Sequence, residues 1–168
     1  MGAVASAGNG VGAPREVAMR DRANWLVWAQ FVLLALLFLP GDPLWGGPWA
    51  DAIAVVLGIA GATTAGLGVA ALGRDLVPWV APKPGAPLRT GGIYRLTRNP
   101  IYLGILLASA GWVLWRARIE LIVVWLLLAT VLVVKAHVEQ HRLVDAFGDE
   151  YREYAARTPL IVWGRGIR

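Results

Sequence analysis

Four stretches of the chain are almost uninterrupted runs of apolar residues, and charged or Pro/Gly-rich segments separate them. The first runs from about Trp25 to Leu39 and stops at Pro40-Gly41; it is short for a membrane span, so Ala23 and Asn24 are expected to belong to it. The second, about Trp49 to Leu72, is long enough to cross a bilayer alone. Its small residues Ala54, Gly58, Gly61, Ala65 and Gly68 fall on one helix face, which suits close backbone packing in lipid. The third and fourth, Pro100 to Trp115 and about Ile119 to Val134, are parted only by Arg116, Ala117 and Arg118. A tight antiparallel hairpin is expected, tilted or reaching only partway through the hydrocarbon, with Arg116 and Arg118 snorkelling to the far headgroups.

Between the second and third runs lies a polar stretch, residues 73–99, with four prolines and five basic residues, read as an ordered loop or a linker. After Val134 the pattern changes: Leu143, Phe147, Tyr151 and Tyr154 recur at helical spacing among charges, as on an amphipathic helix at the membrane interface. Gly148 followed by Asp149 predicts a stop and a new N-cap, hence two helical pieces with a bend, and Pro159 closes the second. Residues 1–14 are Gly/Ala-rich with too little continuous apolar length for a signal-peptide core. The expected organisation is a disordered tail over 1–22 and one integral-membrane domain over 23–168, all-α, with about four transmembrane helices.

Composition agrees, since 57% hydrophobic and only 16% charged residues lie outside the range of a soluble domain. The chain has no Cys, which excludes a disulfide framework, thiolate zinc sites and a cysteine nucleophile, and its two His are not spaced as a ligand pair, so no metal is expected. A net charge of +5 in so apolar a chain reads as topology signals and lipid-headgroup contacts, and no nucleic-acid partner is expected. With four spans, fourteen Lys and Arg fall on one side and two on the other. The positive-inside rule then places both termini and the 73–99 loop in the cytoplasm.

The candidate chemistry sits where the third run begins. Asn99 is a good N-cap residue and Pro100 suits the first helical position, so free backbone N–H groups, the positive helix end and Arg98 converge on one spot that could hold a carboxylate or phosphate. An antiparallel hairpin returns Glu139 and Gln140 to the level of Arg98, Asn99 and Tyr102. A plain Arg98–Glu139 ion pair at the rim is the structural alternative. A cation and an anion facing each other also suit a zwitterionic ligand such as an amino-acid moiety.

At these residues the chain resembles the isoprenylcysteine carboxyl methyltransferase and phospholipid methyltransferase families of integral-membrane enzymes that use S-adenosylmethionine. Their G-x-Y-x-x-x-R-[HN]-P-x-Y-x-G run is matched by Gly92, Tyr94, Arg98, Asn99, Pro100, Tyr102 and Gly104. Their later E-E-x-x-L-x-x-x-F-G-x-x-Y-x-x-Y run is matched by Glu139, Leu143, Phe147, Gly148, Tyr151 and Tyr154, with Gln140 at the second acidic position. The likeness covers about residues 66–160. It implies a cofactor region over about 73–160, with S-adenosylmethionine bordered by Arg98, Asn99, Pro100, Tyr102 and Gly104 and bound by Glu139, with Gln140 beside it. It also implies a lipophilic or prenylated acceptor entering sideways from the bilayer lipids. Arg98, Arg95 or Arg142 could orient a carboxylate acceptor, whereas an amine would need a base such as Glu139, His137, His141 or Tyr94. The catalytic candidates are Arg98, Glu139 and Tyr94. A nicotinamide-dependent membrane reductase of the sterol type, for which the chain is short, and a non-catalytic scaffold or lipid-binding module are the alternative readings.

Overall fold

The computed structural model describes residues 14–73, 87–162 and 164–166. These form four helices, α1 (Pro14–Leu36), α2 (Pro48–Leu72), α3 (Pro100–Arg116) and α4 (Ile119–Arg157), with a short 3-10 turn at Gly92–Arg95 before α3. Two of them, α2 and α4, are long and apolar enough to cross a membrane, and shorter apolar helices run over Trp25–Leu36 and Pro100–Arg116. The all-helical expectation therefore holds for the described residues. Much of the polar stretch 73–99 lies outside them.

Helix α1 begins at Pro14, within the 1–22 stretch expected to be a tail. Proline fits the first helical turn, and the Arg, Glu, Ala and Met that follow are good helix formers that carry the helix into the apolar run. The expected bend is present. Gly148 has φ 53 and ψ −124 inside α4, a conformation open to a residue without Cβ, and the helix resumes behind it to Arg157, two residues before Pro159. The charged stretch from Lys135 to Phe147 is a direct continuation of the apolar part of α4 rather than a separate interfacial helix.

The small-residue face of α2 packs on α3 along its whole length. A Cβ on Gly104 would stand 2.6 Å from Ala65 N and from Gly61 O, and one on Gly111 2.6 Å from Ala54 O. Gly68 meets the ring of Pro100 and serves packing, while a Cβ on Gly66 would meet nothing within 4 Å. Backbones this close gain dispersion along the crossing with little side-chain entropy to lose, the usual means of holding helices together in lipid. On α4 the buried Leu121, Leu128 and Leu132 line one face and meet Leu37, Tyr102 and Val113. Other faces leave Trp28, Phe31, Val55, Val56, Ile59, Leu126 and Leu127 exposed, an apolar perimeter suited to acyl chains.

The turn between α3 and α4 departs from expectation. Arg118 is buried rather than reaching headgroups: its Nη1 donates to Leu39 O at 2.8 Å, and it pairs with Glu120. Ala117 accepts from Leu44 N at 2.7 Å, and Trp112 Nε1 donates to Leu37 O at 2.8 Å. These donors and acceptors satisfy backbone groups left open where α1 ends, so the turn straps the α1–α2 connection.

Gly104→Ala should lower stability by about 1–3 kcal/mol, because the new methyl meets backbone that cannot yield. Gly66→Ala should be neutral or slightly stabilising. Thermal unfolding of the two detergent-solubilised variants measures both.

Candidate functional site

At the end of the bundle opposite the α3–α4 turn, the start of α3, the middle of α4 and the chain after α4 come together around Arg98. This side chain is buried. Its Nη1 donates to Gln140 Oε1 at 2.7 Å, and its Nη2 donates to the carbonyls of Gly164 at 2.6 Å and Gly166 at 3.3 Å. The guanidinium also lies 5.9 Å from the ring centre of Tyr151, and its backbone N–H donates to Pro159 O. Nε is buried without a hydrogen-bond partner.

Asn99 occupies the N-cap position and Pro100 the first turn, but the Asn99 side chain does not cap the helix. Its Nδ2 donates to Leu160 O at 3.0 Å, while Thr97 Oγ1 accepts from Asn99 N at 3.2 Å. Thr97 is fully buried and also donates to Leu160 O. Residues 158–162 and 164–166 thus form a strap whose carbonyls receive the polar groups of Thr97, Arg98 and Asn99. Sequence reasoning missed the strap and Thr97; the closely spaced Gly164 and Gly166, both at positive φ, were the available signal of a tight fold-back.

One helical turn on, Tyr102 donates its hydroxyl to Glu139 Oε1 at 2.5 Å. The hairpin therefore brings together the residues expected to meet, in a different pairing: Arg98 with Gln140, and Tyr102 with Glu139. Glu139 lies beyond the apolar run that ends at Val134. Its carboxyl is pushed up to about 7 by desolvation, against the opposing pull of the Tyr102 hydrogen bond, Lys135 and Arg142. Tyr94 is buried, its carbonyl accepts the Tyr154 hydroxyl at 2.6 Å, and its phenol is pushed up to about 12 by burial and by Glu139. At neutral pH Tyr94 is thus a hydrogen-bond donor and not a base. Pro100 and Gly104 face α2 and shape the helix crossing rather than the polar cluster. His137 and His141 are exposed.

The phospholipid methyltransferase family model matches residues 50–150, an interval that holds the first sequence run, the second as far as Gly148, and the Arg98–Gln140 and Tyr102–Glu139 pairs. The chain belongs to the phospholipid methyltransferase family.

Three curated proteins are similar over more than half of the chain. The cobalt-zinc-cadmium resistance protein CzcN of Cupriavidus metallidurans is 33% identical over 138 residues, covering 80% of this chain and 60% of the relative. Methanethiol S-methyltransferase 1 of Bradyrhizobium diazoefficiens is 33% identical over 101 residues, 57% of this chain and 31% of the relative. Methanethiol S-methyltransferase of a Pseudomonas species is 25% identical over 162 residues, 84% of this chain and 59% of the relative. The chain spans less than two thirds of the length of each. Within the family's second run, Gln140 replaces an acid, and here its amide oxygen meets Arg98 without cancelling the guanidinium charge.

Arg98→Met should release the strap. Three charge-assisted hydrogen bonds disappear, each contributing about 1.5–3 kcal/mol, and amide exchange around Gly166, whose N–H donates to Ala155 O, should quicken by at least tenfold. Hydrogen-exchange mass spectrometry of residues 158–166 reads this, with the α2–α3 crossing as the unchanged control.

Proposed function

We propose that this protein moves a methyl group from S-adenosylmethionine to a lipophilic acceptor at the polar end of the α3–α4 pair. The observation that supports this most is a buried Arg98 Nε without a hydrogen-bond partner just before α3, together with a Glu139 carboxyl on α4 held by Tyr102, where the next residue, Gln140, receives the Arg98 guanidinium. A donor bearing both a carboxylate and an ammonium, as the methionine moiety does, suits such a pair of opposite charges. When bound, S-adenosylmethionine would supply an activated methyl on a sulfonium for in-line transfer to a nucleophile of the acceptor, with S-adenosylhomocysteine as the by-product. Glu139 accepts hydrogen bonds from the donor's polar groups, Tyr102 orients that carboxylate, and Arg98 and Asn99 hold the strap that closes the site from water.

The acceptor class rests on the exposed apolar perimeter, which lets a membrane-partitioning molecule reach the helices from the side. An isoprenylcysteine-like carboxylate or a related lipid fits this reading. A small thiol is a second acceptor class, favoured by the names of two relatives, and is itself apolar enough to partition into a bilayer. The fourteen-to-two distribution of basic residues supports both termini and the Arg98 end on the cytoplasmic side. Reporter fusions after Arg168 and within residues 80–90 should report cytoplasm, and fusions at Asp42 the opposite side. A cytoplasmic Asp42 would overturn this orientation.

Binding tests the donor. S-adenosylhomocysteine at about 100 times its dissociation constant should add about 2.7 kcal/mol to the stability of detergent-solubilised protein. A shift with NADPH instead would mark a reductase, and a shift with neither would mark a scaffold. Because Glu139 has its pKa raised to about 7, it is a carboxylate above that pH and a neutral acid below it. Affinity for S-adenosylhomocysteine should therefore fall as pH is lowered from 8 to 6. Glu139→Gln should bind about ten- to a hundredfold more weakly at pH 8, with no pH dependence across that window.

A further inference from the structure

Helix α1 lies outside the residues matched by the family, yet it reaches the polar cluster at one point. Lys135 of α4 is buried, and its Nζ donates to Oε1 of Gln30, itself buried on α1, at 3.1 Å. The same ammonium stands 5.0 Å from the ring centre of Tyr102, the residue whose hydroxyl is bonded to Glu139. Lys135 precedes Glu139 by four residues, so both project from one face of α4. Nearby, Val27 of α1 packs against Val138.

A buried ammonium is costly unless it serves a partner, and an amide oxygen together with a ring face is weak compensation for lost hydration. An aliphatic pair between α1 and α4 would hold the two helices at least as well. What the ammonium adds is a positive charge next to the Tyr102–Glu139 pair, and Gln30 determines where that charge sits.

We infer that Lys135, anchored by Gln30, is a positioning residue that holds a positive charge beside Glu139 and so keeps its carboxylate available to the methyl donor. The inference rests on the donor-site reading given above. Other groups act on Glu139 too: Tyr102 from α3, Arg142 from α4 itself, Tyr94 from the 3-10 turn and Tyr151 beyond the bend. Of these, Arg142 is the second cation; α1 contributes the uncharged Gln30 to Lys135.

The test is the pH profile of S-adenosylhomocysteine affinity, measured by calorimetry on the full chain in detergent. In the unaltered protein the midpoint is expected near pH 7. Lys135→Met should move it upward by about one pH unit, the ordinary effect of removing an opposite charge at this range. Lys135→Arg should restore the midpoint, and Gln30→Leu should move it in the same direction as Lys135→Met by a smaller amount. In a Glu139→Gln background, Lys135→Met should leave the profile flat. A Lys135→Met protein weakened by the same factor at every pH, with the midpoint unmoved, would reduce Lys135 to a packing role and overturn the inference alone. If Lys135→Met does not fold, Gln30→Leu gives the same reading, and its unmoved midpoint overturns the inference. Failure of the unaltered protein to bind S-adenosylhomocysteine would overturn the donor-site reading and this inference with it.

Discussion

A guanidinium buried among helices must have its charge and its donors answered from the protein, and at Arg98 that requirement joins three separate parts of the chain. The start of α3 supplies the arginine, α4 supplies Gln140, and the strap supplies the carbonyls of Gly164 and Gly166. None of these alone would be stable in that position. Among the strap's described residues Leu160 and Ile161 join the apolar core, and without the arginine its carbonyls would turn to water. The amide at Gln140 satisfies geometry without neutralising charge, so the Arg98 cation persists at the polar end, while Lys135 and Arg142 act on the half-buried Glu139.

The rest of the molecule is built to hold this end in register. The small residues of α2 let α3 approach to backbone contact, which sets the axial position of Arg98 and Tyr102 relative to the bundle. At the far end, Arg118, Trp112 and Ala117 tie off the α1–α2 connection, which prevents α3 and α4 from sliding along α1. Polar bonds thus sit at both ends, and close apolar contact fills the middle. This division follows from the solvent: in hydrocarbon the backbone must be satisfied within helices, and irregular chain is tolerated only where protein or water covers it.

Much of this was legible in the residues. The small-residue face of α2, the proline start of α3, the bend at Gly148 and the meeting of the two family runs all appear where the pattern put them. The start of α1 at Pro14 and the buried role of Arg118 were not legible, since one depends on helix propagation and the other on an unsatisfied loop carbonyl that periodicity does not display. Pro100 and Gly104 were grouped with the site because they share its motif, yet they face α2.

The sequence by itself determined which segments are helical, which faces are smooth, and that Arg98, Tyr102, Glu139 and Gln140 share one level of the hairpin. These are local properties, set by 3.6-residue periodicity, capping chemistry and chain connectivity. Only the tertiary structure decided that Arg98 meets Gln140 while Tyr102 meets Glu139, that Gln30 holds Lys135, and that the strap closes over the cluster. Neighbouring residues on a helix point about 100° apart, so partner choice depends on how each helix is rotated about its axis. That rotation is set by packing among residues far apart in the chain, which no single segment records.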